Sequence, residues 1–173
     1  KISPERKVRR RHSGKRRRYH FLRCPGNAPD APLLRALLPA GMRIIAGDFK
    51  GRRLYTPENY NIRPTTDKVK EAMFSIIMPY ISESICVDLF SGTGNLGLEA
   101  ISRGASKCYF CDNSRESIQI IKKNIDYCKA GDKSVIKSGD FRKVLESMRE
   151  KADIFFMDPP YEAGYYSDAF EKI

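Results

Sequence analysis

The sequence predicts an α/β fold with a doubly wound parallel sheet, and three observations support this. From residue 85 onward, short apolar runs alternate with amphipathic segments, an order typical of parallel strands joined by helices. A glycine-rich turn over residues 91–97 follows the first apolar run, and acidic residues follow several of the runs. Ligands of such sheets bind beyond the carboxyl ends of the strands, so we expect the functional site at that edge.

The length of 173 residues allows about one domain. From the amino terminus we expect a basic extension over residues 1–41 and then a domain over 42–173. The domain comprises a hairpin and helix (42–81) and a partial core (82–173). The extension has no sustained apolar period, so it is predicted to be disordered. It contains 12 of the 32 lysines and arginines but only two acids. It is therefore an RNA-binding or targeting arm, or a solvated or upstream-translated stretch.

Cysteine and apolar patterns indicate the compartment. Five cysteines without an apolar signal-peptide core favour a reducing, cytoplasmic location, and no stretch approaches the ~20 apolar residues of a membrane span. Cys108 and Cys111 have metal-site spacing, but they lie in a predicted strand without a second pair. We therefore expect no metal and no membrane. Both histidines lie in the extension, so the chemistry must proceed without a histidine base.

The domain begins with a predicted β-hairpin over residues 42–56, where two short strand-like runs flank a glycine-containing connection. Its basic side chains suit phosphate contacts, but they equally suit the protection of an edge strand from aggregation. The basic residues concerned are Arg43, Lys50, Arg52 and Arg53.

A helix is predicted over residues 66–78, because apolar side chains recur there at helical spacing. The expected buried stripe is Val69, Met73, Ile76 and Ile77. Pro79 is expected to end this helix, since proline lacks the amide hydrogen that a helix interior requires.

The remaining elements follow from periodicity and from helix start and stop signals. One helix is expected to begin at an Asn113 N-cap with Glu116 three residues later, and to be buried through Ile118, Ile121, Ile125 and Cys128. In chain order we predict a strand over 85–89, a helix over 96–103, a strand over 107–111, a helix over 114–128, a strand over 135–136, a helical stripe over 141–148 and a strand over 154–157.

The turn after the first strand combines a carboxylate with glycines. Gly92 and Gly94 allow a tight turn and close approach to a ligand, whereas Gly97 allows a helix to pack against the sheet. Dinucleotide-binding turns share this glycine richness, but Asp88 would repel a pyrophosphate at close range. The pattern therefore favours a cationic ligand.

Acids at the ends of the next two strands extend this predicted site. Asp112 can accept both hydroxyl hydrogens of a ribose, or it can simply place a favourable charge at a helix N-terminus. Asp140 can accept the amino group of an adenine. Phe141 either stacks on that ring or fills the core.

The motif Asp158-Pro159-Pro160-Tyr161 follows the fourth strand. Its prolines fix the backbone, so the Asp158 side chain and the Pro159 carbonyl can accept hydrogens from a planar exocyclic amine and stabilise the positive charge that develops on nitrogen. Tyr161 can stack on a base taken out of its helix. The alternative is a strand-end turn with a packed aromatic ring.

Residues 42–161 resemble the RsmD family of small-subunit (16S) ribosomal RNA guanine-N2 methyltransferases. The resemblance lies in MRIIAG, RPTTDKVKE, DLFSGTGNLGLEA and DPPY. It implies a class I, Rossmann-like methyltransferase fold, S-adenosylmethionine as cofactor, and ribosomal RNA or the assembling 30S subunit as partner of a monomeric enzyme. The implied cofactor contacts are Asp88, Phe90, Gly92, Gly94, Asp112, Asp140 and Phe141. The implied guanine contacts are Asp158, Pro159, Pro160 and Tyr161, and the expected RNA contacts are Arg43, Lys50, Arg52, Arg53, Arg63, Thr65 and Lys68.

Such domains resemble a seven-stranded sheet in the order 3-2-1-4-5-7-6, whereas this chain ends a few residues after its fourth predicted strand. We therefore expect the last three strands to be missing from it. Other enzymes of planar amines, including DNA adenine-N6 and protein glutamine methyltransferases, use loops similar to DPPY. A non-catalytic RNA-binding module is the alternative from another class.

Overall fold

The computed structural model describes residues 42–57, 67–159 and 165–173. The predicted extension and four predicted site residues, Arg63, Thr65, Pro160 and Tyr161, lie outside them. Within these ranges helices and strands alternate as predicted. The strands are β1 (Ile85–Asp88), β2 (Lys107–Asp112), β3 (Ser134–Ser138) and β4 (Ile154–Phe156), and the helices are α1 (Asp67–Ile81), α2 (Asn95–Ser102), α3 (Arg115–Cys128), α4 (Phe141–Ser147) and α5 (Tyr165–Phe170).

The four strands form one parallel sheet in the order β3-β2-β1-β4. Asp88 pairs in register with Phe110 on one side and with Phe156 on the other. Asp112 lies two residues beyond Phe110 on β2 and pairs with Ser138. The ends of β1 and β2 are therefore staggered by about 6–7 Å, at the rise of a parallel strand. The predicted parallel α/β sheet is confirmed.

Hydrophobic clusters cover both faces of the sheet. One contains Cys86, Cys108 and Phe110 with α2 and α3, and the other contains Val87, Tyr109 and Cys111 with α4. Because side chains alternate along a strand, the thiols of Cys108 and Cys111 point to opposite faces. They therefore cannot ligate one metal together. The described cysteines, Cys86, Cys108, Cys111 and Cys128, are all buried.

Helix α1 differs from its prediction in two ways. The helix continues through Pro79 to Ile81, although proline lacks the amide hydrogen of a helix interior. The predicted stripe is correct in part: Met73 and Ile77 pack against the hydrophobic core, whereas Val69 is 58% and Ile76 is 76% exposed. The buried positions are Lys70, Phe74 and Ile81, which share one face at helical spacing. The buried face therefore includes a lysine that the predicted stripe did not contain.

Helix α3 has the predicted buried face, but its predicted N-cap is wrong. Ser114 caps the helix by accepting a hydrogen bond from the amide of Ser117. Asp112 accepts a hydrogen bond from the amide of Ser114. This bond places the start of the helix one residue later than an N-cap at Asn113 would. Ile118, Ile121, Ile125 and Cys128 are buried as expected, together with Asn124, which is fully buried.

Residues 42–57 reverse direction without forming regular strands. Arg43 and Arg53 form an isolated antiparallel bridge, supported by backbone hydrogen bonds from Ile44 to Arg52 and from Leu54 to Met42. Ile44 and Leu54 are buried in the cluster that covers α2 and α3. We call residues 42–57 the basic segment. Within the described ranges, no helix is long and apolar enough to cross a membrane.

Candidate functional site

The glycine turn, residues 91–97, connects β1 to α2 as predicted. Gly92 and Gly94 have positive φ angles of 55° and 79°, conformations that glycine adopts without strain. Gly97 serves packing, because a Cβ atom there would lie 2.4 Å from Cε1 of Phe110 and 2.7 Å from Sγ of Cys108. The turn is thus held directly above β2.

Asp88 lies beneath this turn. Its side chain is buried, with the residue 3% exposed, and its Oδ2 accepts a hydrogen bond of 3.0 Å from the amide of Gly97. Burial raises the pKa of Asp88 to about 7, the nearby carboxylates of Asp112 and Asp158 act in the same direction, and the Gly97 amide opposes them. Asp88 therefore fixes the start of α2 and holds a titratable charge at the floor of the site.

Asp112 lies at the same edge of the sheet, two residues beyond the β2 partner of Asp88, and is half-buried. Its Oδ2 accepts from the amide of Gly92 at 2.8 Å, and its Oδ1 accepts from the amide of Ser114 at 2.9 Å. Each carboxylate oxygen has a second lone pair, so Asp112 can still accept hydroxyl hydrogens. The two amides orient the carboxylate, for which the ribose contact stays a prediction.

Asp158 and Pro159 follow β4, the other neighbour of β1. Asp158 is exposed and Pro159 is buried. Because β4 runs parallel to β1 and pairs through Asp88 and Phe156, Asp158 reaches the same edge as the glycine turn. The structure therefore brings three predicted acids, Asp88, Asp112 and Asp158, to one edge of the sheet.

An aromatic cluster lies at the start of α4. Phe141 is buried and contacts Phe90, whose ring stacks on Tyr165 with centroids 5.8 Å apart. Asp140 caps α4 through the amide of Arg142 and pairs with its guanidinium at 3.1 Å. Of the two interpretations of Phe141, the described contacts match core packing.

The predicted RNA-contact residues differ in how freely they are exposed. Lys50, Arg53 and Lys68 are exposed. Arg43 is exposed but forms an ion pair of 2.7 Å with Asp67. Arg52 is half-buried, donates to the carbonyl of Tyr127 and lies over the ring of Phe49. The structure therefore uses Arg52 partly to attach the basic segment to α3.

Buried polar residues that the sequence interpretation missed surround the turn. Lys70 and Glu99 form an ion pair of 3.1 Å with side chains 1% and 0% exposed, and Arg103 pairs with the same carboxylate at 2.8 Å. Asn95 accepts from Lys70, and Asn124 bonds both the turn and the basic segment. The available signal was a polar residue within an apolar periodic face, as at Asn124 between Ile121 and Ile125.

The chemistry of these acidic side chains fits S-adenosylmethionine. Acidic groups around a glycine turn suit a ligand with a positively charged sulfur and an ammonium group. Asp112 suits vicinal hydroxyls. Within the described ranges, no group of three or more metal-ligating side chains is placed to hold a metal ion.

Comparisons with known proteins agree with this architecture. Ribosomal RNA small subunit methyltransferase D of Escherichia coli strain K12 is 38% identical over 132 residues, covering 76% of this chain and 66% of that protein. Its counterpart from Haemophilus influenzae is 40% identical over 136 residues, covering 76% of this chain and 70% of that protein. The chain thus spans about two thirds of the length of these relatives.

A solved structure gives the same result. The structure of yhhF from Escherichia coli, a provisionally assigned methyltransferase, superposes with a TM-score of 0.68 at 32% identity, covering 76% of this chain and 70% of that one. The family model described as Conserved hypothetical protein 95 matches residues 42–173. On these matches and on the motifs that the sequence shares with it, the chain belongs to this family, the RsmD family.

Proposed function

We propose that this protein transfers a methyl group from S-adenosylmethionine to the N2 amine of a guanine in small-subunit ribosomal RNA. One observation carries the proposal: carboxylates at the ends of three adjacent parallel strands surround a glycine turn. The relatives named Ribosomal RNA small subunit methyltransferase D support the choice of RNA.

The cofactor would lie along the edge formed by β1 and β2. S-adenosylmethionine supplies a methyl group on a positively charged sulfur. Gly92 and Gly94 would let the backbone approach it closely, while Asp112 would accept from its ribose. Asp140 and Phe90 are the residues that we assign to the adenine side. Asp88 supports the turn from below and contributes negative potential.

Asp158 would act on the amine. A guanine amine is a weak nucleophile because its lone pair is delocalised into the ring. The Asp158 carboxylate and the Pro159 carbonyl, held by the Asp158-Pro159-Pro160 backbone, would accept its hydrogens and stabilise the charge that develops on nitrogen. Tyr161 is assigned to stacking on the displaced base.

The basic segment would hold the RNA backbone. Lys50, Arg53 and the α1 residue Lys68 are exposed, and Arg63 and Thr65 are assigned to the same task. Phosphate contacts of this kind weaken steeply as salt concentration rises, because binding releases counterions.

Single-turnover methyl transfer to small-subunit RNA, with both RNA and cofactor saturating, tests the proposal. We expect Asp158→Ala to slow transfer by ~10²–10³, the usual loss of one transition-state acceptor, with nearly unchanged cofactor affinity. Asp132→Ala is the control, because Asp132 is exposed and precedes β3 at the opposite edge of the sheet. Nucleoside analysis should show N2-methylguanosine.

Three results would contradict the proposal. The first is methyl transfer by Asp158→Ala at a near-normal rate, which would mean that another group handles the amine. The second is transfer to adenine in DNA with no product in RNA. The third is RNA binding by a wild-type chain that does not bind S-adenosylmethionine, as expected for a non-catalytic module.

A further inference from the structure

Lys70 connects three parts of the molecule. It lies on α1, is 1% exposed, and its Nζ donates to the carbonyl of Arg43 at 2.6 Å and to Oδ1 of Asn95 at 2.7 Å. The same atom lies 3.1 Å from Oε2 of Glu99. An ammonium has three hydrogens, so these partners on the basic segment, the turn and α2 match its full donor capacity.

Glu99 completes this connection from α2. Its fully buried carboxylate accepts from the amide of Ile45 at 2.8 Å and from the amide of Ala46 at 3.0 Å. Burial lowers the pKa of Lys70, whereas the Glu99 carboxylate acts in the opposite direction. The ammonium therefore depends on the carboxylate, because Lys70 alone would be a buried charge without a counter-ion, whereas Glu99 also pairs with Arg103.

Asn124 makes a second connection at the other end of the basic segment. Its Oδ1 accepts from the amide of Tyr55 at 2.7 Å, and its Nδ2 donates to the carbonyl of Tyr55 at 3.1 Å. Nδ2 also donates to the carbonyl of Thr93, within the glycine turn, at 2.8 Å. One buried amide thus holds the segment and the turn together.

We propose that Lys70 and Asn124 are positioning residues that couple the basic segment to the glycine turn, so that cofactor binding at the turn orders the surface that holds RNA. The proposal rests on the function proposed above, since it takes the turn as the cofactor site and the segment as an RNA contact. It adds that neither residue touches either ligand.

The geometry explains why a change at one side reaches the other. The side chains of Lys70 and Asn124 are themselves buried, so breaking any of these hydrogen bonds would leave a buried polar atom without a partner. A small displacement of Thr93 or Asn95 therefore moves Tyr55 or Arg43 with it. Solvent-exposed contacts would instead be replaced by water at little cost.

Hydrogen exchange of backbone amides in the 173-residue chain tests this coupling without RNA. We expect S-adenosylhomocysteine, the demethylated cofactor, to slow exchange at Ile45, Ala46 and Tyr55 by at least about fivefold, the lower range of coupling between two sites. Lys70→Met should lose most of this slowing at Ile45 and Ala46 and keep it at Tyr55. Asn124→Leu should show the reverse pattern.

Lys123→Met is the matched control, because Lys123 is exposed and adjacent to Asn124; it should retain the effect at all three amides. If Lys70→Met does not fold, the Tyr55 response in Asn124→Leu decides alone. S-adenosylhomocysteine that binds the wild type without slowing these amides, or equal slowing in both variants, would overturn the coupling. A wild type that binds no S-adenosylhomocysteine would overturn the proposed function and the coupling with it.

Discussion

Asp88 and Asp112 have the same carboxylate in different surroundings. Asp88 is buried beneath the turn and Asp112 is half-buried at its rim, because β2 extends two residues beyond the partner of Asp88. Burial penalises a charge that has few compensating donors. The two residues therefore differ in what they offer a ligand: Asp112 a hydrogen-bond acceptor, and Asp88 a charge that depends on pH.

For Asp112, we expect replacement by alanine to weaken S-adenosylmethionine binding by about 1–3 kcal/mol, the cost of losing a charged hydrogen-bond acceptor. Part of this loss would come from the amides of Gly92 and Ser114, which the carboxylate orients. Isothermal titration calorimetry on the folded variant measures it. An unchanged affinity would remove Asp112 from the site.

For Asp88, we expect S-adenosylmethionine affinity to rise between pH 6 and pH 8. The pKa of Asp88 is about 7 before binding, and a nearby cation favours the ionised form, so binding releases up to about one proton near neutral pH. Calorimetry in buffers of different ionisation heats measures that proton. Asp88→Asn should bind without releasing it, since the amide oxygen can still accept from Gly97.

The same shift affects stability with a definite sign. Because the folded pKa is raised from 3.8 to about 7, the folded state holds a proton that the unfolded chain loses earlier, and the stability contribution of Asp88 falls as pH rises through this interval. In Asp88→Asn this fall should disappear from denaturant titrations at pH 5 and pH 8. A pH dependence equal to that of the wild type would contradict the assignment.

At the scale of elements, α2 packs on β2 at a glycine. We expect Gly97→Ala to destabilise the protein by about 1–3 kcal/mol, the usual cost of overpacking, because its methyl group would overlap Phe110 and Cys108. Gly131→Ala is the control, since a Cβ atom there meets nothing within 4 Å. Urea unfolding of both variants measures the difference, and equal midpoints would show that α2 shifts freely.

The helices and strands could be predicted where the polarity of each side chain matched its burial. The order of strands and helices and the placement of acids at strand ends followed from periodicity, because apolar strands in a parallel sheet are buried on both faces. The buried face of α1 followed only in part. Lys70 is buried because Glu99, Asn95 and the Arg43 carbonyl satisfy its charge. All three partners lie 25 or more positions away in the sequence, so a local pattern carries no information about them.

The candidate site was predictable where a motif joins a strand to its following turn. Asp88, the glycines and Asp112 could be placed at one edge from strand order alone. The roles of Phe141 and Asp140 could not, because packing against Phe90 and pairing with Arg142 depend on contacts between separate elements. Helix α5, whose Tyr165 stacks on Phe90, was also missed, since its apolar residues are too few to show a period.

At the scale of the whole molecule, the basic segment belongs to the core of the domain. Ile44 and Leu54 are buried with residues of α2 and α3, and Ser102 bonds both the amide of Phe49 and the carbonyl of Ala46. The segment is therefore attached through side chains along its length. Its removal would uncover part of the main hydrophobic cluster.

We expect removal of residues 1–41 to leave folding and cofactor binding unchanged, because the described core begins at Ile44. Circular dichroism and calorimetry with S-adenosylhomocysteine on a chain beginning at Met42 test this. Lost helical signal would show that the extension contributes to the fold. A loss confined to RNA affinity, with a shallower salt dependence, would identify the extension as an RNA-binding arm.

The buried cysteines give the domain a chemical property of its own. Burial raises the pKa of Cys111 to about 12 and raises that of Cys86, Cys108 and Cys128, so almost no thiolate, the reactive form, is present at neutral pH. An alkylating reagent must wait until the strand or helix that carries each thiol opens. The rate of alkylation at each cysteine therefore measures how often β1, β2 and the end of α3 open, without any introduced cysteine.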